Sequence, residues 1–238
     1  MDTVEATRRV KAITEILALE TERAIALRET MEAANRILPP ALKDRVFQGA
    51  EAYNMMMNAL AMDLALTVAR LFDFTKDRPL KGQDKASIPV LAALLDLAGV
   101  RAEFKAQASK WSAPFVQTAS TNVQACETAI DFIQKSVGRV QTQGAPLEAA
   151  LGRIREFRTK RLAHRLFDKD PNALPKYNDM FNLIDLAMEV VTQARLIVEG
   201  HRTEFKLRVD YDRGNAEKLW NAMLFGIEAA IVASEAEA

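Results

Sequence analysis

The chain has 238 residues, enough for one large domain or two small ones. Its 32 Lys and Arg residues balance 32 Asp and Glu residues, so any attraction to nucleic acid or membrane must be local. The single cysteine, Cys126, excludes an internal disulfide and a cysteine-pair zinc site, and is typical of a reducing cytosol. There is no signal-peptide pattern and no apolar run of ~18 residues, so we expect a cytoplasmic protein without a membrane partner.

Strong helix formers dominate the sequence, and most of the nine glycines and eight prolines fall at predicted breaks. In chain order, the predicted helices are one of roughly thirty residues that ends at Pro39 and Pro40, then 42–74, a short helix from Ser87 to Gly99, another to Ser112, then 114–137, 146–167, 177–199 and 216–233. The predicted connections are 75–87, 138–146, 168–175 and a turn at 210–215.

These elements predict an all-α protein, a multi-helix up-and-down bundle of about eight helices with long N-terminal helices. No internal repeat or linker divides the chain, so a single domain over residues 1–238 is the simplest organisation. Spacing supports the bundle, because an apolar stripe on helix 177–199 is expected to face inward; it comprises Met180, Ile184, Met188 and Val191. Core positions are also predicted for three consecutive methionines and both tryptophans, namely Met55, Met56, Met57, Trp111 and Trp220.

The most unusual stretch is "FRTKRLAHRLFD", residues 157–168, on the predicted helix over 146–167. Six of the thirteen residues in 153–165 are Lys or Arg, and Glu156 is the only acid among them. One interpretation is a solvated helix face whose long side chains cover apolar neighbours. The other is a site that binds a phosphodiester.

His164 favours the second interpretation, because imidazole has a pKa of about 6.5 and can both accept and donate a proton near neutrality. Metal-free RNA cleavage needs a base for the 2′-hydroxyl, an acid for the leaving 5′-oxygen and cations for the phosphorane. Arg158 and Arg161 could bind the phosphate through paired N–H donors. Further basic residues of the segment that could contact RNA are Arg155, Lys160 and Arg165.

The segment Arg158-Thr-Lys-Arg-Leu-Ala-His164 is an R-x5-H pattern and resembles the R-x4-6-H motif of the HEPN superfamily. "IREFRTKRLAHRLFD" is similar to the motif helix of the AbiU-like, abortive-infection branch of that superfamily. A second stretch in the expected order, "ALTVARLFDFTKD…KASIPVLAALL" (65–95), is also similar to that branch. Together with their spacing, the two stretches cover roughly half of the chain.

The resemblance implies a helical HEPN-like fold and a homodimeric, metal-independent ribonuclease or RNA-binding protein of phage defence or a toxin–antitoxin system. It nominates Arg158 and His164 as catalytic residues, with no metal and no cofactor. It also implies RNA as a partner, an antitoxin or other defence protein as another, and products with 2′,3′-cyclic phosphate and 5′-hydroxyl ends.

Helical geometry adds a constraint, because residues six apart differ by about 240° around a helix of 3.6 residues per turn. Arg158 and His164 therefore do not share one face, whereas Arg161 and His164 do. A dimer that lines one cleft with two motifs would bring Arg158 and His164 together. Active HEPN members commonly carry Asn, Asp or His after the motif arginine, and Thr159 departs from that pattern.

Two further patterns involve arginine. Asp63, Thr67, Arg70 and Phe74 share one face of helix 42–74, where Asp63 or Asp73 could pair with Arg70 and support the basic cleft. An ordinary intrahelical ion pair is the simpler interpretation. Arg195 and His201 form a second R-x5-H pattern, which we interpret as coincidence, with His201 on the surface at a helix end.

The leading hypothesis is therefore a HEPN-type endoribonuclease or RNA-binding dimer. A catalytically silent helical dimer that acts as an interaction scaffold is the first alternative. A helical bundle that binds a small nucleotide in the basic cleft is the second.

Overall fold

The computed structural model describes residues 1–41, 49–75, 77–111, 118–159 and 175–225. These residues form eight α-helices and one short 3₁₀ turn, Leu80–Gly82. The helices are α1 (Thr3–Ala41), α2 (Ala50–Leu71), α3 (Ile88–Leu95), α4 (Ala98–Ala108), α5 (Ala119–Gln141), α6 (Pro146–Phe157), α7 (Tyr177–Glu199) and α8 (Phe205–Phe225). No strand occurs in the described ranges, so the all-α prediction is confirmed.

The chain folds as two compact units. The first comprises residues 1–21 and 65–204, and the second comprises residues 22–64 and 205–238. Two of the boundaries fall inside α1 and α2, so neither of these two boundaries lies in a loop.

In the first unit, α5 contacts four other helices, α3, α4, α6 and α7. Its buried face includes Cys126, Ile130 and Ile133, and α7 contributes Met180, Ile184 and Val191 to the core as predicted. Met188, also predicted to face inward, is only half-buried. The helix ends at Gly200, whose left-handed backbone (φ 76°) terminates it as glycine commonly does.

In the second unit, α8 packs its buried residues Phe205, Ala216 and Trp220 inward. The Nε1 of Trp220 donates a 2.8 Å hydrogen bond to the carbonyl oxygen of Thr30, and its ring meets that of Tyr53 edge-on at 5.6 Å. The prediction that Trp220 is a core residue is confirmed, whereas Trp111, in the first unit, is only half-buried.

The carboxylate of Glu29, also in the second unit, is nearly fully buried. It is paired with Arg28 and Arg213, with each N–O distance 3.1 Å. Two cations thus offset the cost of burying this charge, which would be large for an unpaired carboxylate in the same position.

Several local predictions are wrong. The predicted turn at 210–215 lies inside α8, because buried Asp212 bonds Arg208 one turn earlier and packing outweighs the ~1 kcal/mol helix penalty of Gly214. Gly99 does not stop a helix but lies in the first turn of α4. There a Cβ atom would come within 2.5 Å of Thr3 Oγ1, so the close approach requires glycine.

Two of the three methionines predicted for the core are also misplaced. Met57 is buried, but Met55 is 73% exposed and Met56 is 37% exposed. Three consecutive residues of a helix point in directions about 100° apart, so a single buried face cannot hold all of them. Pro39 lies within the last turn of α1, which extends to Ala41 rather than ending at the prolines. None of the helices searched is long and apolar enough to cross a membrane.

Candidate functional site

The basic segment begins on α6, which starts at Pro146 as predicted. Arg158 follows the last residue of α6 and keeps helical backbone angles (φ −55°, ψ −48°), and the exposed Thr159 follows it. The other predicted site residues of the segment lie outside the described residues; they are Lys160, Arg161, His164 and Arg165. The expected alignment of Arg161 with His164 stays a prediction.

Arg158 contacts an acid that lies 85 residues earlier in the chain. Its NH1 nitrogen lies 3.2 Å from Oδ2 of Asp73, which follows α2. The Nζ of Lys85, from the connection before α3, lies 2.8 Å from the same oxygen. One carboxylate oxygen is therefore shared by two cations that are separated by more than seventy residues in the chain.

Backbone contacts hold this acid in place. The Oγ of Ser87 donates a hydrogen bond to the carbonyl oxygen of Asp73. The NH2 of Arg155 donates a 2.9 Å hydrogen bond to the carbonyl oxygen of buried Phe72. Ser87 is the N-terminal cap residue of α3 by position, but its hydroxyl serves this long-range contact and makes no capping hydrogen bond.

Electrostatics tie these groups together. Burial alone would raise the pKa of Asp73, but the hydrogen bond from Lys85 and the charges of Arg158 and Lys85 outweigh it, so the pKa lies below its ordinary value. Burial lowers the pKa of Arg155, and the nearby Asp73 opposes that effect. At neutral pH the cluster of Asp73, Lys85, Arg155 and Arg158, hereafter the Asp73 cluster, holds one negative and three positive charges.

The predicted supporting residues have other partners. The guanidinium of Arg70 donates to Glu20 at 2.8 Å and to Thr67 at 3.0 Å, within the first unit. In the second unit, Asp63 accepts from Arg23 at 2.8 Å. The suggested pairing of Arg70 with Asp63 or Asp73 is therefore wrong, because each of these groups has a partner that lies far away in the sequence.

The second R-x5-H pattern has a different setting. Gly200 ends α7 immediately before His201, whose side chain is 65% exposed and lies 3.0 Å from Glu199. Arg195 lies 3.9 Å from the same glutamate. The prediction of an exposed histidine at a helix end is confirmed.

A cleft of about 600 Å³ lies between the α5–α6 connection and α7. Its polar lining includes Arg139, Asn182 and Asp185 and contains none of the predicted site residues. Within the described part of the chain, no three acidic, histidine or cysteine side chains form a group that could hold a metal ion.

Comparison with protein-family models gives a match to AbiU2, a HEPN family, over residues 10–219. The chain belongs to the AbiU2 family of HEPN proteins. The match spans both compact units, so the second unit is part of the family's sequence and not an appended element. No curated protein and no solved structure matches the chain. This AbiU2-family protein is thus a HEPN protein of a type associated with abortive infection and defence.

For this AbiU2-family protein, the structure joins the two family-like stretches in one place. Asp73 and Lys85 come from the stretch 65–95, and Arg158 comes from the motif stretch. Sequence reasoning placed Asp73 beside the wrong arginine, predicted Ser87 only as the start of a helix, and missed Lys85. All three lie within the family-like stretch 65–95, which was the available signal, but only tertiary structure brings them to Arg158.

The Asp73 cluster can bind an anion by its chemistry. Lysine carries three N–H donors on its one side-chain nitrogen and arginine carries five on three nitrogens, so the described contacts of Lys85 Nζ and Arg158 NH1 with Asp73 do not require all of these donors. Arg153, earlier on α6, is engaged with Asp179 of α7 at 2.6 Å. That ion pair joins α6 to α7. Among the described residues of the basic segment, Arg155 and Arg158 are the arginines whose charges interact with Asp73.

Proposed function

We propose that this protein is a metal-independent endoribonuclease or RNA-binding protein of the HEPN type, which acts in the cytoplasm in phage defence or a toxin–antitoxin system. The observation that carries the proposal is the contact of Arg158, the motif arginine, with Asp73 in a cluster with excess positive charge. Membership of the AbiU2 family supports the association with defence.

In the proposed reaction, His164 acts on protons and Arg158 with Arg161 binds the scissile phosphate. A base removes the proton of the 2′-hydroxyl, whose oxygen attacks phosphorus while an acid protonates the leaving 5′-oxygen. The arginines stabilise the additional negative charge of the phosphorane. The products are a 2′,3′-cyclic phosphate end and a 5′-hydroxyl end, and the remaining basic residues of the motif bind the RNA backbone.

We further propose that the active form is a homodimer and that an antitoxin or another defence protein controls it. Residues six apart on a helix face in different directions, so a cleft formed by two motifs gives Arg158 of one chain access to His164 of the other. An enzyme that cleaves cellular RNA must also be restrained in an uninfected cell, which calls for a controlling partner.

A catalytically silent scaffold is the second candidate, and one observation favours it. Thr159 occupies the position where active HEPN members commonly carry Asn, Asp or His, and its side chain is exposed. A threonine hydroxyl can donate and accept a hydrogen bond, but it lacks the amide, carboxylate or imidazole group of those residues. Under this alternative, the basic surface binds RNA or a protein without cleavage.

The deciding experiment incubates wild-type protein and His164→Ala with transfer RNA in EDTA. We expect cleavage by the wild type and a loss of at least ~100-fold in the variant, the usual contribution of a general acid or base. His201→Ala is the matched control, because it removes the other histidine, which is exposed at a helix end. Equal inactivity of wild type and His164→Ala across several RNAs would favour the scaffold.

A further inference from the structure

Lys85 is the second cation at Asp73 and has no assigned role in the HEPN motif. It reaches the cluster from the connection that precedes α3, two residues before Ser87. Both Lys85 Nζ and Arg158 NH1 lie within ion-pair distance of the same Asp73 oxygen, so the two cationic groups are close neighbours. Two adjacent cations from different elements form the kind of arrangement that binds a phosphate group.

The acid and the cations differ in accessibility. The side chain of Asp73 is 19% exposed, whereas those of Lys85 and Arg158 are 35% and 34% exposed. Asp73 is also held by the bond from Ser87 to its backbone carbonyl, and the neighbouring carbonyl is held by Arg155. The carboxylate is therefore the more buried member of the cluster on a held backbone, and about a third of each cationic side chain is exposed to solvent.

The charge balance leaves capacity for a second anion. The carboxylate of Asp73 offsets only one of the two positive charges of Lys85 and Arg158. The third cation, Arg155, lies near Glu148 as well as Asp73, so its charge is partly offset by a second acid. A phosphate on the outer side would contact N–H donors of Lys85 and Arg158 that point away from Asp73. Asp73 would then hold both cations in position while its own charge weakens the attraction of the phosphate.

We propose that Lys85 and Arg158 together bind one phosphate group of the RNA, and that Asp73 is the positioning residue for both cations. The proposal rests on the proposed function for the identity of the ligand. It adds Lys85 as a phosphate-binding residue from a different element. It also assigns Asp73 the role of an internal counter-ion, which fixes the positions of the two cations while its negative charge lowers their affinity for phosphate.

The test measures binding of a short single-stranded RNA to His164→Ala protein as a function of salt, so that cleavage does not interfere. Adding Lys85→Met should weaken binding by about threefold to tenfold and reduce the salt slope by about one, the effect of one lost phosphate contact. Lys81→Met is the matched control, since Lys81 is an exposed lysine of the same connection and its loss should change binding less.

Asp73→Asn tests the positioning role. Removing the carboxylate charge should tighten RNA binding, whereas the loss of fixed geometry at Arg158 should lower kcat in the protein with intact His164. General damage to the fold would weaken RNA binding and lower kcat together. Tighter binding with a lower kcat would therefore support the positioning role. Unchanged kcat in Asp73→Asn would overturn the positioning role.

The outcomes separate this proposal from the proposed function. If the His164→Ala protein binds RNA and Lys85→Met behaves like Lys81→Met, the role of Lys85 is wrong and the proposed function stands. If no RNA binds, the proposed function fails, and inorganic pyrophosphate becomes the probe. If pyrophosphate raises the melting temperature of the wild type but not that of Lys85→Met, the anion site at Lys85 is supported. If it raises neither melting temperature, the anion site is rejected.

Discussion

At the scale of single residues, the contact partners of each arginine determine its role more than its residue type does. Arg155 and Arg158 are only three positions apart, yet one is bound to a backbone carbonyl and the other to a carboxylate. Arg153, two residues before Arg155, forms an ion pair with Asp179 that joins two helices. The sequence shows these arginines as one run of positive charge, whereas the structure gives each a separate contact. Counting charges therefore overstates the number of cations that can serve a ligand.

Cys126 offers a prediction at the same scale. Its side chain is fully buried on α5, and burial raises the pKa of the thiol to about 11. Because the thiolate is the reactive form, we expect native protein at pH 8 to react with a disulfide reagent at least ~100-fold more slowly than a free cysteine. The same protein in urea should react fully, and as Cys126 is the only thiol, the signal is unambiguous. Rapid labelling of the native protein would contradict this burial.

At the scale of helices, the predictable features are those with local causes. Pro146 starts α6, because a missing N–H is harmless in the first turn of a helix. Gly200 ends α7, because glycine adopts the left-handed backbone conformation at a helix end more easily than other residues do. The predicted turn at 210–215 failed for the opposite reason, since long-range contacts decide the outcome. Arg213, within that segment, bonds buried Glu29, an acid from a distant part of the sequence. No window of local sequence contains that partner.

Two glycine substitutions test this distinction. At Gly200 the backbone is left-handed and a Cβ atom would lie 2.9 Å from the Trp111 ring, so Gly200→Ala should lower the free energy of unfolding by about 1–3 kcal/mol. Gly152 is exposed inside α6 with no heavy atom within 4 Å of a Cβ, so Gly152→Ala should raise it by up to about 1 kcal/mol. Urea denaturation measures both changes. If both substitutions changed the free energy of unfolding equally, the left-handed backbone at position 200 would not require glycine.

The candidate site also combines features that local sequence predicted with contacts that it did not. The motif itself, the start of its helix and the second family-like stretch were all visible in the sequence. The pairing of Arg158 with Asp73 was not, because it depends on how α6 and the segment after α2 pack in the first unit. Asp73 was linked to Arg70 on helical spacing, but Arg70 is bonded to Glu20 of α1. Spacing within one helix identifies neighbours on that helix and gives no information about partners on another.

At the scale of the whole molecule, charge is balanced but not uniform. The chain has no net charge, yet the Asp73 cluster has an excess of positive charge. Binding to RNA through such a cluster should weaken steeply with salt, because each phosphate contact releases counterions. The family match covers both compact units, so truncation to either one would remove part of the family's sequence. Experiments on assembly therefore require the full chain.

The final prediction concerns that assembly. If the active site is formed by Arg158 of one chain and His164 of its partner, the protein should have about twice the 26.5 kDa mass of one chain in solution. Arg158→Ala and His164→Ala should each be inactive alone. After the two are mixed and allowed to exchange subunits, half of the dimers are mixed, and each mixed dimer contains one intact site, so about a quarter of wild-type activity should return. A site confined to one chain would give no recovery, and mixing each variant with itself controls for the exchange procedure. Light scattering measures the mass and RNA cleavage measures the recovered activity. A dimeric mass without recovered activity would confirm the dimer and contradict an active site shared between its two chains.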